Sequence, residues 1–324
     1  MGKANILDFL KKYGLIAVLL VEIVIFSFGS RFFLTSGNLI NVLRQSAVTG
    51  ISVLGMTFVI LTGGIDLSMG ATIGMASIVA SIAMATWRLP PVAAVILALF
   101  VGAIIGLLNG VLVTYVRIPP LIATLGTMTS VRGLCFIFTG GLPVFGFPES
   151  FGVLGKGYVG FMPVPVIIMA VVLAAGWFVI NKTKYGRYLY AIGGNAEAAR
   201  LSGINVKKNM LITYMLSGIL AAIAGIVELS RLSSGLPNAG SGYEMMIITA
   251  VVLGGVSIAG GEGKFFGVIV GIFIMAILSN GLVMMNVYEY YQQLIRGIVL
   301  LVAVGIDQMS KQNIPIKQLF SPSG

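Results

Sequence analysis

Apolar runs recur along the whole chain, separated by short polar or glycine-rich joints. Several approach the roughly 20 residues that an α-helix needs to cross hydrocarbon, and shorter ones are tolerated where helices break inside the protein. Ten segments qualify. In the first half they are Gly14 to Phe28, Gln45 to Thr62, Ala71 to Thr86, Pro91 to Val116 and Leu121 to Thr139. In the second half they are Pro163 to Asn181, Met210 to Ser230, Met245 to Ile258, Phe265 to Met285 and Gln292 to Ile306. The pattern predicts an all-α fold: a polytopic transmembrane helical bundle of about ten spans, with residues 1–324 as a single domain.

Composition agrees with lipid as the solvent. The chain is 58% hydrophobic and 9% charged, against about 25% charged residues in soluble domains. Mean hydropathy is +1.04. In water such a chain would expose large apolar patches. The net charge of +10 raises the question of an anionic partner such as nucleic acid, but the basic residues follow the spans instead. With the N-terminus inside, thirteen of the 20 Lys and Arg fall on the inner side, six fall outside, and Arg132 lies within the fifth span. This bias places both termini in the cytoplasm. Lys3, Lys11 and Lys12 precede the first run and no small-residue cleavage site closes it, so an uncleaved first helix is expected.

Most catalytic chemistry is disfavoured. Histidine is absent, which removes Ser-His-Asp catalysis, Cys-His pairs and the usual zinc sites. Cys135 has no cysteine partner in the chain and reads as a packing residue. Gly260-Gly-Glu-Gly-Lys-Phe265 lacks the first glycine and the hydroxyl of a phosphate-binding loop, so nucleotide binding is not expected. No cofactor and no enzymatic activity are expected.

Glycine supplies 43 residues, about twice ordinary usage. Gly70 and Gly74, Gly102, Gly106 and Gly110, and Gly267 and Gly271 stand four apart, a spacing that lets helix backbones approach closely in lipid. Two further glycine clusters, near residues 63–70 and 254–263, interrupt apolar runs on the inner side and echo each other weakly. Paired broken helices of this kind often bracket a transport site.

Charged residues at membrane depth are functional candidates. Glu22, Asp66, Arg132 and Glu228 stand out. Asp66 sits in the first break, where its carboxylate is placed either to gate a pathway or to cap the following helix through N–H groups at Leu67 to Gly70. Gly63, Gly64, Asp66, Ser68 and Arg132 form the candidate pathway or gating set. Glu22 and Arg132 lie at similar depth and are expected to pair if their helices adjoin.

The longest inner connection, residues 182–209, holds six basic residues and exceeds what a passive linker requires. Within it, Asn195-Ala-Glu-Ala-Ala-Arg-Leu-Ser-Gly203 predicts a short helix with Asn195 as N-cap and Gly203 as stop. Glu197, Ala198, Ala199 and Gly203 resemble the Glu-Ala-Ala and spaced-Gly signature by which ABC importer permeases dock their ATPase subunit. The Ile-x-Leu-Pro ending of that signature is absent, since Lys207 to Met215 contains no proline. Taken with Gly64-Ile-Asp-Leu-Ser-Met-Gly70, Gly193-Gly-Asn195, Leu201-Ser-Gly-Ile-Asn-Val206, Gly242-Tyr-Glu244 and Val252-Leu-Gly-Gly255, the chain resembles the ribose, xylose and arabinose branch of ABC sugar permeases, nearest its ribose members, from Lys11 to Asp307.

The resemblance implies a bacterial inner-membrane importer subunit that works as a homodimer with a separate ATP-binding cassette ATPase. It assigns ATPase coupling to Asn195, Glu197, Ala198, Ala199, Arg200, Leu201, Ser202 and Gly203. It also implies a periplasmic sugar-binding protein, for which Glu228, Arg231 and Glu244 are the candidate docking residues by charge complementarity. The competing reading is a self-sufficient secondary transporter or channel for a small neutral solute, with Glu22 and Asp66 as couplers.

Overall fold

The computed structural model describes residues 3–312; Lys317, counted above with the inner residues, lies outside them. The first half runs through α1 (Lys3–Gly29), α2 (Ser36–Leu61), α3 (Met69–Ala85), α4 (Pro91–Thr114) and α5 (Pro120–Thr139). A short 3-10 turn (Glu149–Gly152), α6 (Val153–Lys156) and the paired strands β1 (Tyr158–Val159) and β2 (Met162–Pro163) follow. The second half comprises α7 (Val164–Lys182), α8 (Lys184–Gly194), α9 (Ala196–Leu201), α10 (Val206–Leu232), α11 (Tyr243–Leu253), α12 (Phe265–Met284) and α13 (Glu289–Gln312).

Each of the ten apolar segments becomes a helix. Among the described residues seven helices are long and apolar enough to cross a membrane, and Gly14–Gly29, Met69–Ala85 and Tyr243–Leu253 are shorter apolar ones. Both expected breaks are present, between α2 and α3 and between α11 and α12. Pro91 and Pro120 open α4 and α5, where a missing N–H costs nothing. Gly63, with φ of +79°, turns the chain after α2, a conformation that glycine adopts without steric penalty.

Several boundaries move outward from the expected ones, and two of them are instructive. α2 starts at Ser36, not Gln45, which puts Arg44 inside a helix with its guanidinium 4.7 Å from the Tyr158 ring. α10 starts at Val206, because the Asn205 side chain accepts the Lys208 N–H and opens the helix before the apolar run begins. Hydropathy marks where lipid begins, while capping marks where the helix begins.

α2 is the enclosed helix of the bundle, packed by α7, α10, α11 and α12. α4 carries an outward apolar stripe: Val92, Ile96, Phe100 and Ile104, four apart, are exposed, whereas Ala94, Ala98 and Asn109 are buried, the pattern of a helix that suits lipid on one side. The glycine spacing forms two seams. A Cβ at Gly102 or Gly106 would strike the carbonyl of Gly218 or Tyr214 on α10, and one at Gly267 or Gly271 would strike the carbonyl of Gly254 or Ala250. Trp87, Tyr115, Trp177, Tyr288, Tyr290 and Tyr291 are exposed near helix ends, as membrane anchors are expected to be. Tyr185, also near a helix end, instead turns inward: its hydroxyl bonds Thr213 at 2.8 Å and its ring packs edge-on against Phe58.

Candidate functional site

The first break is a hydrogen-bonded knot. Asp66 is only 1% exposed, and its Oδ1 accepts the Ser68 N–H at 3.0 Å and the Ser68 hydroxyl at 2.6 Å. Its Oδ2 accepts the Ser217 hydroxyl of α10 at 2.8 Å. Asn109 of α4 donates to the Ser68 hydroxyl at 2.7 Å and more weakly to Asp66 Oδ1 at 3.4 Å. Thr124 of α5 accepts the Leu67 N–H at 3.1 Å and donates to the Ile65 carbonyl at 3.3 Å. The break thus binds α3, α4, α5 and α10 together, and its freed backbone groups find partners in protein. Gly64 is needed for space, since a Cβ there would lie 2.6 Å from the Tyr214 hydroxyl.

The two breaks meet. Gly261 N–H donates to the Leu61 carbonyl at 3.0 Å, and a Cβ at Gly260 would lie 2.6 Å from Gly63 N and 3.0 Å from Gly193 Cα. A Cβ on Gly193 would strike the Leu61 carbonyl and Gly261 N. Three backbone stretches therefore touch without side chains between them: the end of α2, the segment before α12, and the end of α8. Tyr190 of α8 adds a hydrogen bond to the Gly263 carbonyl at 3.1 Å, and burial holds its hydroxyl pKa above the ordinary tyrosine value.

α9 follows that junction directly. Asn195 caps it by accepting the Ala198 N–H at 2.9 Å, and Gly203, with φ of +84°, ends it. Glu197, Ala198, Arg200, Leu201, Ser202 and Gly203 are exposed, while Ala199 is buried. Leu201 is 74% exposed, an apolar knob on a polar loop. Arg200 grips Glu197 with both carboxylate oxygens engaged, at 2.5 Å and 3.0 Å, and this holds the Glu197 carboxyl below the usual glutamate range.

On the opposite face the candidates separate. Arg132 donates to the carbonyls of Pro237 and Ala239 at 3.0 Å and 2.6 Å, so it fastens the loop before α11 and does not pair with Glu22. Glu22 lies on α1, which packs against α12, whereas α5 packs against α3 and α4. Arg132 and Glu244 line one cavity of about 280 Å³ together with Thr129 and Ser241. Glu228 is 4% exposed and accepts the Tyr243 hydroxyl at 3.1 Å. Burial removes it from any outer docking surface, contrary to the expectation above; Arg231 and Glu244 are half-buried. Arg231, Tyr243, Gln292 and Arg296 line a second cavity of about 270 Å³.

Sequence reasoning missed Asn109, Thr124 and Ser217, and also Asn38 and Asn280, whose side-chain amides exchange hydrogen bonds at 2.9 Å and 3.0 Å between α2 and α12. For Asn109, Thr124, Ser217 and Asn280 the signal was present, since an amide or hydroxyl inside an apolar span seeks a partner on another helix; Asn38 lies before the predicted second span.

A protein family described as branched-chain amino acid transport system / permease component matches residues 38–304. The chain belongs to this family. It is 44% identical over 302 residues to the ribose import permease protein RbsC of Escherichia coli (strain K12), covering 92% of this chain and 94% of that one. It is 43% identical over 301 residues to the RbsC of Bacillus subtilis (strain 168), covering 92% and 93%. With the galactose/methyl galactoside import permease protein MglC of Escherichia coli (strain K12) it shares 38% identity over 327 residues, covering 95% and 97%. No solved structure gives a significant match.

Proposed function

We propose that this chain is the membrane-spanning permease subunit of an ATP-driven importer for an uncharged sugar, ribose or a related sugar, in the bacterial inner membrane. The observation that carries the reading is the 44% identity, over nearly its whole length, to a ribose import permease. The exposed, capped α9 at the tip of loop 182–209 supports a separate ATPase as partner, because the chain has no phosphate-binding loop of its own.

In this reading residues 1–324 form one permease domain, two copies enclose the path, and both termini face the cytoplasm. A periplasmic sugar-binding protein docks at the outer face, where Arg231 and Glu244 remain the partly accessible charges. ATPase closure displaces Asn195 to Gly203. The displacement passes through Gly193 to the ends of both helix breaks, since the three segments are in backbone contact. The Asp66 knot then moves as a unit with α3, α4, α5 and α10, and Arg132 keeps the 237–239 loop attached to it. The permease supplies two bundle geometries and the partner supplies the free energy that selects between them.

The test is uptake of labelled ribose into proteoliposomes holding the permease, its ATPase and its binding protein. Uptake that requires ATP is expected. Accumulation by the permease alone on a proton or sodium gradient would replace this reading with that of a secondary transporter.

A further inference from the structure

We propose that the cavity bounded by Arg231, Tyr243, Gln292 and Arg296 is a recognition site for one uncharged polyhydroxy ring, built within each permease copy at its outer end. The inference rests on the reading of the chain as a sugar permease and assigns that permease a ligand site of its own.

The place is set by five helices. The C-terminal parts of α10 and α12, the N-termini of α11 and α13 and the middle of α2 converge there, around a volume of about 270 Å³. These are strongly apolar helices, yet they turn polar side chains inward at this level. Gln45 and Thr49 stand one turn apart on α2, Ser279 faces in from α12, and Gln292 and Arg296 stand one turn apart on α13. Polar side chains at this depth cost free energy unless they are partnered.

Two donor atoms in the lining lack partners. Arg231 Nε and Arg296 Nε are buried without a hydrogen-bond acceptor. Neither arginine has a carboxylate at ion-pair distance among the described residues. Gln292, 5% exposed, is held at both ends, donating to the Val287 carbonyl at 2.8 Å and accepting from Arg296 at 3.1 Å. The guanidinium of Arg296 is thereby fixed in orientation with donor capacity left over. An arginine so positioned donates along two edges, which suits vicinal oxygens.

Charge selects the class of ligand. Glu289 also lines the cavity, and Glu228 stands behind Tyr243, bonded to its hydroxyl at 3.1 Å. The Glu289 carboxylate in the lining offsets one of the two arginine charges, opposes an anion and gives a sugar hydroxyl an acceptor. Met246, Ala276 and Val283 complete the wall with an apolar surface. Fixed donors, carboxylate and hydroxyl acceptors, and an apolar side together match a sugar ring, whose edge is hydroxylated and whose face is C–H.

The experiment uses the full-length permease in lipid nanodiscs, with D-ribose, D-galactose and inorganic phosphate as probes, followed by ligand-observed NMR. Sugar binding is expected without phosphate competition. Arg296→Met is expected to weaken it by about tenfold, the size of one lost charge-assisted hydrogen bond. Ser279→Ala, a change too small to endanger folding, is expected to weaken it by roughly threefold. No sugar binding to the wild type, equal binding in both variants, or competition by phosphate would each overturn the proposal. ATP-driven uptake by the complete importer separates the two readings. Normal uptake in both variants defeats the cavity assignment alone, whereas no sugar uptake by the wild type defeats the importer reading itself.

Discussion

Gly261 donates its N–H to the Leu61 carbonyl at 3.0 Å, which ties the segment before α12 to the end of α2. Gly193, two residues before the Asn195 cap, lies against both. The contact predicts that Gly193→Ala uncouples ATP hydrolysis from transport. Ala fits the local helix, so the effect isolates the close approach. The expected outcome is ATPase activity retained with sugar uptake reduced by about tenfold or more, measured in the same proteoliposomes.

Asp66→Ala is expected to cost about 2–4 kcal/mol, because it leaves the Ser68 N–H and the Ser217 hydroxyl buried without their acceptor. Asp66→Asn keeps the volume but presents an amide N–H₂ to one of those donors, so it should fall between Ala and wild type. Unfolding in mixed detergent micelles orders the three proteins. Transport retained at wild-type rates in a stable Asp66→Asn protein would remove the knot from the mechanism.

Arg132→Met is expected to release the Pro237 to Ala239 loop from α5, since it deletes both hydrogen bonds to those carbonyls. Faster labelling of a cysteine placed at Asn238 checks this. A double-mutant cycle with Glu22→Ala is expected to give a coupling within about 0.5 kcal/mol of zero, as for distant independent sites.

Glu197→Ala is expected to leave permease stability unchanged and to weaken ATPase binding, because Glu197 and Arg200 are both exposed. The Glu197 carboxyl titrates below its ordinary range. A depressed carboxylate keeps its charge above its unfolded value and loses it only as pH falls through the folded one. ATPase binding is therefore expected to be flat from neutral to mildly acidic pH and to decline only in stronger acid. Asn195→Ala removes the acceptor for the Ala198 N–H and is expected to fray α9 by about 1 kcal/mol. Hydrogen exchange at Ala198 reads it.

The spans were legible because lipid imposes a simple rule on composition, and α4 obeys it residue by residue from Val92 to Ile104. The α9 cap was legible as well, being a local matter of Asn195 and the residue three positions on. What pairs across the bundle was not. Glu22 and Arg132 share a depth, but depth says nothing about which helices adjoin. Glu228 reads as a docking charge because it lies near the end of α10, yet Tyr243 folds back over it. The segment from Glu149 to Pro163, with its short strands, carries no periodic signal long enough to predict.

Along α4 and α10 the main chains abut at Gly102, Gly106 and Gly218, with little side-chain padding between them. Surfaces meshed at that range have nothing to reshuffle when pushed, so neither rod slides or rolls on its neighbour. The pair behaves as a keel. Any rocking of the molecule must be taken up by the helices along its flanks, where larger residues exchange rotamers at small cost.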